Sequence, residues 1–285
     1  MVTLNNVFNN QNMVCVASGG QYFVYEHQND LSVSPSTSIA AYYMKEMNVK
    51  RRQLLVQLNN SSCKMQAGAM QWLSGNINVT TGVKGAGGLF KNMAKGLVSG
   101  ESAVKPEYTG SGFVMLEPTY KYLLIEDVGS WGQGMVLDDG LFLACDTGIQ
   151  ENIQRRQNAS SALLGGEGLF NLCLSGQGFA VLESPVPREE LYEFVLQDDV
   201  VKIDGNMAIA WSSSLQFTVE TITGGAFSSA ATGEGFVNVY RGSGKILMAP
   251  TMQNAPYMST TNGPETQQTT SQGVAGSIAG SLFDL

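Results

Sequence analysis

Charge is scarce in this chain. Asp, Glu, Lys and Arg make up 14% of its 285 residues, against ~25% in ordinary soluble domains. A globular chain with so few charges has surface that something else covers, either a partner or copies of itself. What charge there is leans negative, with 24 acidic against 16 basic residues. Phosphate backbones are held by clustered Lys and Arg, so this balance argues against a nucleic-acid partner. The one dense basic cluster, Lys50, Arg51 and Arg52, reads as a solvated strand entry. Histidine is nearly absent. His27 stands alone, which excludes a His-rich metal centre and makes any Ser-His-Asp or Cys-His arrangement depend on that one side chain. It closes the alternating stretch "FVYEH" and reads as a surface histidine at a strand end. Cys15, Cys63, Cys145 and Cys173 form no C-x-x-C pair and lie in apolar runs, as reduced, buried thiols of a cytosolic protein do. No apolar run approaches ~18 residues, so no membrane span is expected.

Glycine, by contrast, is plentiful at 33 residues, beside only 8 prolines. Many tight turns imply many short strands. Along "LQFTVE", Leu215, Phe217 and Val219 alternate with Gln216, Thr218 and Glu220. That period of two buries one face of a strand. In "YEFVLQDDVVKIDGNMAIAW" the short apolar runs are separated by Asp-Asp and Asp-Gly, residues that accept the positive φ of hairpin turns.

The glycines are also ordered. Gly-x-Gly pairs end at Gly112, Gly178 and Gly244, spaced by 66 residues. Gly-Glu pairs begin at Gly100, Gly166 and Gly233, and an apolar run ended by proline follows each Gly-x-Gly, at Pro118, Pro185 and Pro250. A turn glycine between two apolar runs recurs at Gly68, Gly140 and Gly205. Landmarks in one order, three times over, point to three copies of one building block. The expected organisation is a β extension and linker over 1–41, then β repeats over 42–119, 120–187 and 188–251. The first repeat carries extra material, "GVKGAGGLFKNMAKGLVSG", whose Leu89, Phe90, Met93 and Leu97 have helical spacing. A short amphipathic helix is expected at 82–99. Residues 252–285 turn to Thr, Gln, Ser, Gly and Asn and read as a low-complexity tail.

Motifs for chemistry fail on inspection. "GSGK" at 242–245 looks like the end of a phosphate-binding loop, but Val239 stands where the first glycine belongs and Ile246 where Ser or Thr must hold the metal. A hairpin turn explains it better. The carboxylate pairs Asp138-Asp139, Asp198-Asp199 and Glu189-Glu190 are adjacent in sequence, so on a strand they point to opposite faces. Both aspartate pairs read as turns. Glu101, Glu167 and Glu234 occupy one position in the three repeats. Related by pseudo-threefold symmetry, these carboxylates would either accept backbone N–H bonds at a turn, the favoured role, or line a shared surface that binds a cation. No catalytic, cofactor-binding or metal-ligating residue is expected.

"AGAMQWLSGNI" at 67–77, "GAGGLFKNMAKGLVSGES" at 85–102 and "GGEGLF" at 165–170 together resemble the AIM24 family of mitochondrial-biogenesis-like proteins and their uncharacterised bacterial relatives, over residues 42–251. The resemblance implies an all-β fold of three tandem modules. Each would be like the small β-sandwich of the tryptophan-responsive RNA-binding attenuation protein, or like a double-stranded β-helix. Such modules build rings, and three chains would give a ring of nine. The implied function is a non-enzymatic oligomeric scaffold or protein-interaction protein, a homotrimer with a further protein partner and no cofactor. The opening residues are neither Arg-rich nor amphipathic, so a bacterial cytoplasm is expected, with contact to a membrane surface left open. Two alternatives stand beside it. A ring binding a ligand or RNA would need a repeated basic edge, but the matched positions hold Lys105, Asn171 and Asn238, or Glu117, Glu183 and Ala249. A cupin-like metal enzyme would need several histidines.

Overall fold

A computed structural model describes residues 3–81, 105–155, 170–204, 207–221 and 236–251. The described residues are almost entirely β. The chain opens with a hairpin, β1 (Met13–Gly19) and β2 (Tyr22–His27). A helix, α1 (Ser38–Glu46), follows. Then come β3 (Arg52–Met65), β4 (Met70–Thr80) and β5 (Glu107–Leu116). The middle of the chain is cut into shorter pieces: β6 (Tyr122–Asp127), β7 (Met135–Leu137), β8 (Phe142–Asp146), β9 (Gln150–Arg155), β10 (Phe170–Ser175) and β11 (Phe179–Ser184). The last stretch has β12 (Tyr192–Asp204), β13 (Ala208–Ser212), β14 (Gln216–Thr221) and β15 (Phe236–Met248).

All described pairings are antiparallel, and they form two sheets. The first has eight strands in the order β1-β2-β3-β8-β11-β6, with β5 beside β3 and β4 beyond β5. It curls on itself. A Cβ at Gly19, the end of β1, would lie 2.8 Å from the Ile125 side chain on β6, the far end of the same path. The second has seven strands in the order β12-β15-β13-β7-β10-β9, with β14 beside β15. The middle strands knit the two sheets together, since β6, β8 and β11 lie in the first sheet while β7, β9 and β10 lie in the second.

Alternation places the core as expected. On β14 and the turn before it, Leu215 and Phe217 are buried while Gln216 is exposed. The largest cluster joins Val128, Trp131, Met135, Leu137, Leu174 and Leu182, each nearly inaccessible. Each large apolar side chain so buried contributes ~1.5–3 kcal/mol. A second cluster stacks Trp211, Phe217 and Tyr240, with ring centroids 5.1–5.7 Å apart.

Several expectations need correction. The stretch read as a linker ends in the first residues of α1, which runs on into the span read as the first repeat and buries none of its residues. Asp198-Asp199 is not a hairpin turn but a bulge within the continuous strand β12. Asp198 takes φ +53, and its N–H donates to Ser243 Oγ at 2.9 Å. Nor is Gly242–Lys245 a hairpin: it lies inside β15. Gly110–Gly112 likewise lies inside β5, and only Gly176–Gly178 separates two strands, β10 and β11. The helix expected at 82–99 and the tail at 252–285 lie outside the described residues.

Candidate interaction surface

The symmetric carboxylates Glu101, Glu167 and Glu234 fall outside the described residues, as do Gly100, Gly166 and Gly233. The other residues that the sequence singles out prove to be tied into architecture. His27 donates from Nε2 to Gln53 Oε1 at 2.8 Å, while the Gln53 amide donates to Gln71 Oε1 and to the Leu116 carbonyl. The lysine of "GSGK" stacks on the Trp131 ring, with Nζ 4.5 Å from its centroid, and donates to Ser130 Oγ. Among the described residues no group of three or more His, Cys, Asp or Glu is placed to hold a metal ion, and no helix is long and apolar enough to cross a membrane.

The basic cluster is not a solvated strand entry. Lys50 and Arg52 both pair with Glu26, at 2.9 and 2.8 Å, and Arg51 pairs with Asp30 at 2.9 Å. Arg52 is only 3% exposed. Its guanidinium lies 3.8 Å from the centroid of the Tyr122 ring and donates to the Lys50 and Tyr120 carbonyls. Burial pushes the Glu26 carboxyl up, but the Lys50 hydrogen bond and the Arg52 charge outweigh it and hold the group below the usual range. Glu26, Arg52 and Tyr122 border a groove of about 380 Å³ beside the β1–β6 contact, lined also by Val16, Leu124, Glu126 and Arg188. Arg188 is itself paired, to Glu126 at 3.1 Å and to Glu193. Charges of both signs line the groove, since Glu189 lies there as well.

Thiol chemistry is similarly closed, with one exception. Cys63, Cys145 and Cys173 are buried, while Cys15 is exposed on β1, contrary to the expectation for all four. Burial pushes the Cys63 thiol up to about 12, helped by the Asp146 and Glu107 charges. It raises Cys145 and Cys173 as well. Only the thiolate reacts. An aromatic disulfide reagent should therefore label one thiol per native chain quickly and the other three only after urea is added. Fast labelling of two or more native thiols would contradict this packing.

Several exposed apolar side chains lie on outer strands and on α1. Among the described residues, the thirteen-residue strand β12 is hydrogen-bonded along one edge only, to β15. Tyr192, Val195 and Val200 on it are 55%, 67% and 45% exposed. Strand β4 is likewise paired, among the described residues, only to β5, and Met70 and Val79 on it are exposed. On α1, Ile39, Tyr42 and Tyr43 all face solvent, with Met47 just beyond its end. Long, unpaired, apolar edges are liabilities that natural proteins cover or blunt. No sequence signal marked β12 as an edge, because strand order is set by contacts far apart in the chain.

Comparison with known proteins agrees with the resemblance noted above. The family model described as mitochondrial biogenesis AIM24 matches residues 43–251. An uncharacterized protein of Streptococcus pyogenes serotype M6 is 31% identical over 198 residues, covering 67% of this chain and 77% of that protein. An X-ray crystal structure of a Streptococcus pyogenes protein aligns with a TM-score of 0.52 at 27% identity, covering 71% of this chain and 89% of the other. By the extent of that family match and the identity to its bacterial relative, the chain belongs to the AIM24 family.

Proposed function

We propose that the chain is a non-enzymatic scaffold of the bacterial cytoplasm. In this reading three copies of a β module per chain assemble through strand edges into a homotrimeric ring that holds other proteins. The observation that carries it is the outer edge of β12, unpaired among the described residues, with Tyr192, Val195 and Val200 open to solvent. Apolar side chains exposed along a long open edge favour a second chain that covers them. Threefold repetition is supported by three central strand sets, each paired on both sides by its own neighbours. Strand β5 lies between β3 and β4, and β15 lies between β12 and the pair β13 and β14. In the middle of the chain β11 lies between β6 and β8, and β10 between β7 and β9. The exposed face of α1 is the surface we assign to a protein partner. An acidic chain whose densest basic cluster is neutralised by Glu26 and Asp30 does not favour the RNA-binding alternative.

The test is the absolute mass in solution by light scattering after size exclusion. The expected mass is three times that of the 30.5 kDa chain. A monomer at micromolar concentration would remove the scaffold reading.

A further inference from the structure

Two internal seams of this chain are built to one pattern. In the first, the end of β3 pairs with β8: Cys63 opposite Asp146, Lys64 opposite Cys145, Met65 opposite Ala144. The next residue, Gln66, donates its N–H to the Leu143 carbonyl at 2.7 Å. In the second, β7 pairs with β13: Met135 opposite Ser212, Val136 opposite Trp211, Leu137 opposite Ala210. The next residue, Asp138, donates its N–H to the Ile209 carbonyl at 2.9 Å. Each seam thus has three residue pairs and one closing hydrogen bond, in the same register.

The accepting residue is special in both. On β8, Phe142 faces Leu182 and Ala144 faces Val181, so Leu143 is skipped. On β13, Ala208 faces Met248 and Ala210 faces Leu247, so Ile209 is skipped. A bulge leaves the skipped residue out of its own ladder and re-aims the backbone there. The donating strand also has a signature. Its last paired residue, Met65 or Leu137, is fully buried.

Both halves of a third seam are present, and they are not joined to each other. Strand β4 has the same bulge: Met70 faces Leu116, Trp72 faces Met115, and Gln71 is skipped. No described strand pairs with its outer edge. Strand β12 ends on buried Ile203 followed by Asp204, and no described strand pairs with its outer edge either. We propose that a second copy of this chain completes the seam, with the end of β12 in one copy pairing antiparallel with the start of β4 in the next. The register places Ile203 opposite Trp72, Lys202 opposite Leu73 and Val201 opposite Ser74. Asp204 donates its N–H to the Gln71 carbonyl. The occupant is a second copy because the two halves match each other in the pattern that the chain already uses twice. Such a contact joins different surfaces of the two copies, so it propagates head to tail and ends only by closing a ring.

This inference rests on the oligomeric reading above and adds its geometry. The test is a cross-link in a Cys15→Ser background. Chains carrying Lys202→Cys are co-expressed with chains carrying Leu73→Cys, and each is also made alone. Directly opposed residues on antiparallel strands lie within disulfide reach, at roughly 4.5–5.5 Å between Cα atoms. Oxidation should produce linked pairs in the co-expressed sample, taking up about half of the chains in a three-membered head-to-tail ring, and leave either variant alone unlinked. A second variant, Lys202→Pro, removes a donor on the outer edge of β12. It should lower the mass measured by light scattering to that of the single chain, with the β circular-dichroism signal unchanged. If the wild-type chain is oligomeric but the two cysteines do not link, this seam is wrong and the oligomeric reading survives. A monomeric wild-type chain removes both.

Discussion

Replacing Arg52 with methionine should lower the unfolding free energy by about 3 kcal/mol. Removing one partner of a buried ion pair typically costs ~3–5 kcal/mol, because the remaining charge is left without compensation. The lower end applies here, since Glu26 keeps its pairing to Lys50. Methionine also keeps a stem that can rest on the Tyr122 ring. The pH dependence has a definite sign. The Glu26 carboxyl is held below its ordinary value in the fold, so its contribution is present above the unfolded pKa and lost as pH falls through the folded one. Loss of Arg52 brings the two pKa values closer together, and the variant should lose less additional stability on acidification than the wild type. Urea denaturation at neutral and acidic pH measures both effects. The double variant Arg52→Met with Glu26→Gln should recover part of the loss, because the buried carboxylate is then gone and the Lys50 left behind is the more exposed partner. A single-variant cost under about 1 kcal/mol would show that the cluster behaves as an ordinary surface pair.

The same cluster shows what the sequence could and could not disclose. Three consecutive basic residues read as solvated, because the partners that bury them lie elsewhere: Glu26 and Asp30 upstream, Tyr122 seventy residues downstream. Strand character was legible because it is local. The alternation of Leu215 and Phe217 with Gln216 appears directly as burial. Helix α1 is short, nine residues, so the helical spacing of Ile39, Tyr42 and Tyr43 covers little more than one turn and gives a weak signal. A terminal signal was available in "SPSTS", where Ser34 donates its N–H to Thr37 Oγ1 just before the helix. Asp198-Asp199 has the composition of a turn and the φ of one, yet the strand continues through it. The residue that decides this is Ser243, on the neighbouring strand. Cys15 shares the apolar flanks of its buried counterparts but sits on an outermost strand. The candidate surface was the least legible part, since an edge is defined by what does not pair with it.

Gly112→Ala is the second substitution with a large expected cost, about 3–4 kcal/mol. Gly112 lies inside β5 at φ +155, directly opposite Gly75 of β4, which takes φ +103. The two backbones approach closely here. A Cβ on Gly75 would lie 2.5 Å from the Ser111 carbonyl oxygen and 2.7 Å from the Gly112 Cα. A Cβ on Gly112 would strike the Ser74 carbonyl oxygen. Backbone cannot yield as a flexible side chain does, so alanine at 112 must part the strands or break their ladder. Gly68 supplies the control. It too has a positive φ, +82, but nothing lies within 4 Å of where its Cβ would sit. Gly68→Ala carries only the conformational cost, roughly 1–2 kcal/mol. The difference between the two variants in urea denaturation isolates the close approach from the φ preference. Equal losses would mean that β4 and β5 separate at no cost, and the repeated Gly-x-Gly would then be a conformational requirement rather than a packing one.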